Sequence, residues 1–243
     1  MDEALGKHVL YSVKIAGKEI PFITDTVVVT WIIMAAIMIL ALVLTRSLKP
    51  VPKGKQVVAE TVVGFFNNFS KDQIGHHWRT FSPYIGTVMI YLVFANLISL
   101  VNIFPSGKFW AHVTGNESLE HWIVALEPPT RNFNVTLALA LMTMAVVIWA
   151  EFRFKGVKGW ARGFNSPINA FVKLLDYIVR PMSLCLRLFG NILGAVIVMT
   201  LIYSAAAVVA PAVVSVYFDI FDGALQAYVF VFLTSVYIAE AVE

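Results

Sequence analysis

Long apolar stretches separated by short charged segments cover most of the chain. Three of them contain no charged residue, and each is 18 to 22 residues long. As helices, they would each cross a hydrocarbon core of about 30 Å. A further stretch, 166–239, is too long for one helix and too apolar for a loop, and the segment 204–211 divides it in two. The predicted membrane helices are 26–45, 83–104, 133–150, 166–203 and 211–240.

Two other segments have different patterns. In 55–72, apolar residues recur at helical spacing and polar residues occupy the opposite side. This pattern predicts an amphipathic helix lying at the membrane interface, although a helix packed on other parts of the chain fits equally well. Residues 1–25 mix charged and short apolar pieces, which indicates a polar leader with a short strand or turn. The predicted fold class is an all-α integral membrane protein with five transmembrane helices and one interfacial helix.

Composition supports a membrane protein and excludes several other classes. Hydrophobic residues make up 59% of the chain and charged residues 14%, whereas soluble domains carry roughly 25% charge. The net charge of +3, without a basic run interleaved with aromatics, argues against binding nucleic acid. The one cysteine, Cys185, excludes an internal disulfide and any cysteine-based metal site. No spacing of histidines or acids predicts a metal site, and no motif predicts a cofactor.

The distribution of lysine and arginine predicts the orientation in the membrane. Residues 1–25 hold three, 46–82 hold six, 105–132 hold two and 151–180 hold six. Because basic residues accumulate on the cytoplasmic side, the alternation places the amino terminus outside and the carboxy terminus in the cytoplasm.

One arginine, Arg187, lies inside an apolar segment where a charge is costly. The next charged residue after it is Asp219, and Arg180 is the nearest before it. An arginine at the centre of a membrane helix costs about 2.5–3.5 kcal/mol on insertion scales. At about 100° per residue, Arg187 shares a narrow stripe with Ser183, Asn191, Gly194 and Val198. Arginine keeps its proton at physiological pH, so Arg187 is a fixed charge and a poor proton relay. Pairing with a buried acid, or reaching a headgroup, is the alternative explanation.

The last helix carries two acids, Asp219 and Asp222, followed by Gln226. In an α-helix Asp219 and Gln226 lie about 20° apart, with Asp222 about 60° away, so one face is acidic and amide-bearing. This face predicts a hydrated path for cations from outside. Salt bridges to Arg187, or an aspartate at a helix start near the surface, are the alternatives.

Polar residues elsewhere in the spans suggest further contacts with water. Asn96, Ser99 and Asn102 recur every three residues and form a drifting polar stripe, which favours a hydrated lining over hydrogen bonds to a neighbouring helix. Asp176 and Arg180 are four residues apart and are expected to pair near the start of their helix.

Several motifs together resemble subunit a of F-type ATP synthases, and they follow the family's order from about Phe81 onward. The segment 180–191 (RPMSLCLRLFGN) is similar to the family's signature. Segments 132–136 (NFNVT), 94–97 (FANL) and 225–238 also resemble it. The resemblance implies a stator subunit with no active site and no cofactor of its own. The implied partners are the ring of c subunits, the peripheral stalk b subunits (contacted by the helix at 55–72), the rest of the synthase and the lipid bilayer.

The resemblance also implies roles for particular residues. Arg187, Asn191 and Gln226 stand where the family has its arginine, amide and glutamine, and the arginine faces the rotating ring. Each c subunit then brings a carboxylate, which Arg187 stabilises in its ionised form. Ions reach and leave that carboxylate through two offset half-channels, and Arg187 blocks a direct leak between them. Some members have an acid where this chain has Val196, and Asp219 matches the family's second acidic or histidine position. Which of Asp219 and Asp222 serves the outer half-channel stays open.

The inner half-channel is expected near Asp176 and Arg180. The weaker candidates for lining a half-channel, on either side, are Asn96, Ser99, Asn102, Asp176 and Ser183. A secondary transporter with its substrate site at Arg187 is the alternative function, but it predicts two repeats with broken helices, and the sequence shows no internal repeat. An intramembrane enzyme would need motifs such as His-Glu-x-x-His, which are absent from the sequence. A bacterial plasma membrane is expected, because the leader lacks transit-peptide composition; an organellar inner or thylakoid membrane is the alternative. The transported ion, H⁺ or Na⁺, is not determined by these residues.

Overall fold

The computed structural model describes residues 9–15, 18–46, 48–98, 128–162, 166–205, 214 and 217–242. The chain begins with a β-hairpin, in which β1 (Val9–Ile15) pairs antiparallel with β2 (Lys18–Thr24). Among the described residues, the prediction of an all-α protein therefore holds from Asp25 onward, and the hairpin is the exception. Residues 12–15 of β1 alternate polar and apolar side chains, but β2 does not alternate, and the sequence indicated only a short strand or turn.

Seven helices follow the hairpin within the described residues. They are α1 (Asp25–Thr45), α2 (Lys55–Ile74), α3 (Trp78–Leu97), α4 (Phe133–Ala150), α5 (Gly156–Arg162), α6 (Pro167–Ala205) and α7 (Gly223–Val242). Short 3-10 turns precede α3 and α4, at Gly75–His77 and Pro129–Arg131. Two π-helical turns occur, Glu151–Lys155 after α4 and Tyr217–Asp222 before α7.

Within the described part of the chain, five helical segments are long and apolar enough to cross a membrane. They are Thr26–Thr45, Lys55–Leu97, Phe133–Lys155, Pro167–Ala195 and Ile220–Val242. The prediction of a helical membrane protein with five such helices is confirmed. The second segment includes both α2 and α3. Within it, α3 begins at Trp78, earlier than the predicted start at 83, and carries Pro83 inside the helix.

Glycine and asparagine fix two of the helix boundaries. Gly75 ends α2 with a φ of 70°, a left-handed conformation that glycine adopts without steric cost, and so forms the corner between α2 and α3. Asn132 caps α4, because its side-chain oxygen accepts a hydrogen bond from the backbone N–H of Asn134 at 3.0 Å. The side-chain nitrogen of Asn132 also donates to the Thr26 hydroxyl at 3.4 Å, which ties α4 to α1.

The apolar core lies where α3, α4, α6 and α7 meet. Its largest fully buried side chains include Phe81, Ile85, Leu92, Val147, Leu184, Leu188, Phe230 and Ile238. α1 is attached at the edge through Val29 and Ile33, which pack against Ala95 of α3. The rest of α1 is largely exposed, as Trp31 at 60% and Leu42 at 63% illustrate. An apolar surface of that extent suits lipid or another subunit.

Polar contacts divide the helix ends into two groups. At the first, here called the Asn96 end, the end of α3 meets the starts of α4 and α7 through Asn96, Thr130 and Gly223. At the second, the Glu240 end, the end of α4 meets the start of α6 through Glu151, and α6 meets the end of α7 through Glu240. Helices α3, α4, α6 and α7 therefore run alternately in opposite directions.

Candidate functional site

Arg187 lies close to the middle of α6, which has 39 residues. A helix of that length measures about 58 Å, nearly twice the hydrocarbon core, so it must tilt strongly or extend beyond the core. The buried face of α6 carries Leu184, Cys185 and Leu188. Arg187 is exposed on the other side of the helix. Its charge therefore points away from the core of its own chain.

The surface around Arg187 is open. A Cβ at Gly190 or Gly194 would meet no atom of the described chain within 4 Å. Leu186 and Ile197 flank the same surface, and both are about half exposed. Among the described residues, no acid lies within ion-pair distance of Arg187. This outcome does not support the alternative in which Arg187 is neutralised by an acid of its own chain.

The opposite face of α6 is fixed by packing against α4. Cys185 is buried, and its sulfur lies 3.4 Å from the hydroxyl of Thr136. Phe189 meets Phe133 edge-on, with the ring centroids 5.5 Å apart. Helical periodicity predicts that Cys185, two residues before Arg187, lies on roughly the opposite face, and the structure has Cys185 buried there. These contacts set the rotation of α6 and keep Arg187 outward.

The acids Asp219 and Asp222 lie in the π-helical turn that precedes α7. This turn corrects the prediction that all residues from Asp219 to Gln226 follow one α-helical face. A π turn contains more residues than an α turn, so the angle of 20° between Asp219 and Gln226 does not apply. Asp222 is half-buried, while the side chain of Asp219 lies outside the described residues.

Gln226, one turn into α7, is 8% exposed. Its side-chain Nε2 has no hydrogen-bond partner within the described residues. Leaving a buried amide donor without a partner costs about 1–3 kcal/mol. Nε2 of Gln226 is therefore expected to donate a hydrogen bond to water or to a group outside this chain.

The predicted polar stripe on α3 has one described member. Asn96 is buried and donates from Nδ2 to the carbonyl of Gly223 at 2.9 Å. Its Oδ1 accepts a hydrogen bond from the hydroxyl of Thr130 at 2.9 Å. Ser99 and Asn102 lie outside the described residues. Nothing in the sequence marked Thr130 or Gly223 as partners, because they come from distant segments.

At the Glu240 end, Arg180 forms salt bridges with two acidic side chains. It pairs with Asp176 at 3.1 Å, as the sequence predicted, and with Glu240 of α7 at 2.7 Å. Its guanidinium also lies over the ring of Tyr237, 5.1 Å from the centroid. Glu240 was not expected from the sequence, since it stands 60 residues from Arg180.

A second cluster of charged side chains lies beside the salt bridges of Arg180. Glu151 pairs with Lys173 at 3.4 Å and accepts a hydrogen bond from the hydroxyl of Tyr177, which in turn accepts one from the indole of Trp160. Both groups border a cavity of about 350 Å³. Its lining includes Val147, Glu151, Lys155, Asn169, Val172, Lys173, Asp176, Tyr177, Arg180, Glu240 and Ala241.

Three of the predicted site residues, Arg187, Gln226 and Asp222, lie at successive levels along the helix axes. Arg180 contacts residues 237 and 240 of α7. Arg187 follows Arg180 by seven residues, and α6 and α7 are antiparallel with the same rise per residue, so Arg187 is level with about position 231. Gln226 is then roughly 9 Å, and Asp222 roughly 15 Å, further toward the Asn96 end. Ser183 and Asn191, both half-buried, lie one turn before and after Arg187 on α6. No group of three or more potential metal ligands occurs among the described residues.

Comparison with known proteins gives the family. The sequence matches the family described as ATP synthase A chain over residues 27–239. The chain belongs to the ATP synthase subunit a family. It is 32% identical to the sodium-ion-specific ATP synthase subunit a of Propionigenium modestum, over 90% of this chain and 74% of that protein. It is 34% identical to ATP synthase subunit a of Gloeobacter violaceus, over 90% of this chain and 84% of that protein.

Membership in the subunit a family agrees with the helical membrane fold and with the resemblance drawn from the sequence. The matched residues include every site residue that was predicted from the sequence, whereas Glu240 lies just after the matched range. The two relatives are bacterial proteins, and the several apolar helices of this chain are consistent with a multi-pass membrane protein.

Replacing Glu151 by glutamine is expected to destabilise this subunit a by about 1–3 kcal/mol. The change removes the carboxylate that Lys173 and Tyr177 share, and the Glu151 side chain is only 13% exposed. The measurement is the midpoint of denaturation of the detergent-solubilised complex. Asp72→Asn, at an exposed carboxylate on α2, is the control and should change stability by less than about 0.5 kcal/mol. Equal midpoints for the two variants would contradict the assigned role of Glu151.

Proposed function

We propose that this chain is the ion-translocating stator of a rotary ATP synthase. It provides two offset half-channels that carry H⁺ or Na⁺ to and from carboxylates on a ring of c subunits. It carries out no nucleotide chemistry, because no phosphate-binding loop occurs in the sequence. Ion flow through it drives ATP synthesis, or ATP hydrolysis drives pumping.

The observation that carries this proposal is the position of Arg187. It is a permanent cation at the middle of an apolar helix, exposed beside two glycines, and no acid of the described chain neutralises it. A charge in such surroundings needs a counter-charge, and the open surface admits a helix of another subunit. A carboxylate on a passing c subunit satisfies both requirements.

The outer half-channel is proposed to enter from the Asn96 end. Asp219 and Asp222 attract cations there, and the two acids precede Gln226 on the way to the level of Arg187. The Nε2 group of Gln226 is a buried donor available to water or to the ring carboxylate. Asn191, half-buried one turn after Arg187, extends the same polar route on α6.

The inner half-channel is proposed to open at the Glu240 end. The cavity there is bordered by Asp176 and Arg180, which share a stripe of α6 with Ser183 and Arg187. Arg180 is roughly 10 Å from Arg187 along the helix axis. Ions that leave the ring carboxylate would follow this stripe to the cavity, where three acids compensate the basic side chains.

The two routes open at opposite ends of the helices, and Arg187 lies between them. A fixed positive charge repels a cation that attempts to pass directly. An ion must therefore travel on the ring, which couples its passage to rotation. Each elementary charge crossing 100 mV releases about 2.3 kcal/mol, so several are needed for one ATP.

Orientation and partners follow from charge and exposed surfaces. The lysine and arginine counts place the Glu240 end in the cytoplasm and the Asn96 end outside. α2 exposes Val58, Val63 and Phe65 and is proposed to lie at the cytoplasmic interface, where the b subunits of the peripheral stalk approach. The proposed location is a bacterial plasma membrane. The name of the P. modestum relative specifies sodium, so both ions belong in any functional test.

A cross-linking experiment tests the contact with the ring. With Cys185 replaced by alanine, Gly194→Cys is expected to form a disulfide with a cysteine placed next to the ring carboxylate. Gly194 has space for the new side chain. Leu141→Cys, on the exposed surface of α4, is the matched control and should give no product. Cross-linking at position 141 but not at 194 would overturn the proposed orientation of α6.

A further inference from the structure

The junction between α3 and the start of α7 is held by one buried side chain. Asn96 is 6% exposed and uses both ends of its amide. Nδ2 donates to the Gly223 carbonyl, while Oδ1 accepts from the Thr130 hydroxyl, each at 2.9 Å. Thr130 is fully buried, so its hydroxyl keeps the Asn96 amide in one orientation. We call these three residues the Asn96 junction.

The Asn96 junction requires a glycine at position 223. A Cβ built on Gly223 would come within 2.9 Å of the Cβ of Asn96, closer than two such carbons approach in proteins. The backbone of α7 therefore lies directly against the side chain of Asn96. Glycine permits this approach, which brings the Gly223 carbonyl within reach of the amide.

Gly223 is also the residue at which the backbone changes from π-helix to α-helix. The π turn Tyr217–Asp222 ends immediately before it, and α7 continues from it to Gln226. The described apolar side chains of the π turn, Tyr217, Ile220 and Phe221, are 45–54% exposed. Burial therefore anchors the turn little at those positions, and the contact at Gly223 is one point at which its rotation relative to Gln226 is fixed. π turns are rare and occur frequently at functional sites.

We propose that Asn96 is a positioning residue, which fixes the rotation of the acidic π turn and thereby sets how strongly the outer half-channel binds the transported ion. Thr130 acts through Asn96 by fixing the orientation of its amide. The inference rests on the proposed function, since it assigns the acids of the π turn to the outer half-channel. It adds residues of α3 and of the turn before α4 that do not carry charge and do not face Arg187.

A purely structural role and a positioning role predict different results. Loss of a packing contact would lower assembly or the overall rate, and would act equally on ions taken up from either side. Loss of the junction would change the apparent affinity for the ion on one side only. A titration of each side separately therefore distinguishes the two roles.

The experiment uses the whole synthase in proteoliposomes. ATP synthesis is driven by a jump in pH, or in Na⁺ together with a potential, so that the ion concentration in each compartment is set independently. Asn96→Leu and Thr130→Val remove the hydrogen bonds at nearly constant volume. Each is expected to shift the half-maximal ion concentration on the outer side by about threefold to tenfold. When H⁺ is the ion, this is a shift of about 0.5–1 pH unit. The inner-side titration should stay at the wild-type value.

Two further variants complete the test. Thr130→Ser keeps the hydroxyl and is expected to restore the wild-type outer titration. Tyr84→Phe removes a part-buried hydrogen bond between α3 and Thr143 of α4, and it should shift the titration on neither side. Gly223→Ala, which forces Asn96 and α7 apart, should reproduce the outer-side shift.

Unchanged outer titrations in Asn96→Leu and Thr130→Val would overturn the proposal, as would equal shifts on both sides. Failure of both variants to assemble, while Tyr84→Phe assembles, would assign the junction a structural role and also reject it. The proposed function fails by a different result, namely wild-type pumping in Arg187→Ala. The two failures are therefore separable.

Discussion

Arg187→Ala is expected to abolish ATP-driven ion pumping while the synthase remains assembled. Arg187 makes no ion pair within the described chain, and its side chain is exposed, so its removal costs the fold little. The expected loss arises because an opposite charge a few ångströms away changes the ionisation of a carboxyl by a factor of about 10 to 1,000. Without that effect the ring carboxylate keeps its ion and does not exchange it between the half-channels. The measurement is ion flux into vesicles per ATP hydrolysed.

A second readout tests the sealing role of Arg187. Passive ion flux through vesicles containing Arg187→Ala should exceed that of wild type, because no fixed cation then separates the two half-channels. Arg187→Lys should remain strongly impaired, since an ammonium is a more strongly hydrated point charge than a guanidinium and cannot form the same paired hydrogen bonds. Arg79→Ala, at an exposed arginine near the corner of α2 and α3, is the control and should pump normally. Normal pumping by Arg187→Ala with intact assembly would refute the central role given to this residue.

The sequence was sufficient for those features that depend on one segment. A charged residue in an apolar span is rare, so Arg187 could be singled out without knowledge of its neighbours. The pairing of Asp176 with Arg180 and the inward face of Cys185 follow from helical periodicity, and the structure has both. Local spacing is enough because an α-helix fixes which residues share a face.

Features that join distant segments could not be read from the sequence. Glu151 and Glu240 stand at helix ends, where charged residues are common, and only the packing of α4 and α7 on α6 makes them partners of Lys173 and Arg180. The stripe at Asn96 predicted a hydrated lining, but the structure gives Asn96 two protein partners, and its contact with water stays a prediction. A polar side chain in a span looks the same in sequence whether it meets water or another helix.

The structure also differs from the prediction in its backbone conformation. The two acids of the last helix were placed on an α-helical wheel, but they occur in a π turn. No residue type forces a π turn, and this one coincides with the tertiary contact at Gly223. The β-hairpin before α1 was likewise indicated only as a strand or turn, since a short segment of mixed polarity has no strong periodicity.

Asp219→Asn is expected to reduce ATP synthesis at least tenfold, whereas Asp222→Asn should retain more than about half of the wild-type rate. A tenfold loss corresponds to about 1.4 kcal/mol, a modest change for a charge that concentrates cations at a channel mouth. The two variants are matched, since each replaces one carboxylate by an amide of the same shape within the same π turn. The measurement is the rate of ATP synthesis against the outer ion concentration at a fixed inner concentration.

The choice of Asp219 rests on the resemblance, which places the family's acidic position seven residues before Gln226. The structure supplies the competing argument. Asp222 precedes Gln226 by four residues, so the two share one helical face, whereas the π turn contains more residues than an α turn and the seven-residue spacing of Asp219 from Gln226 no longer implies a shared face. A reversed result, with Asp222→Asn as the inactive variant, would mean that the π turn has transferred the role to Asp222. Near-normal rates in both variants, and in the double variant, would show that the outer half-channel does not pass the Asn96 end.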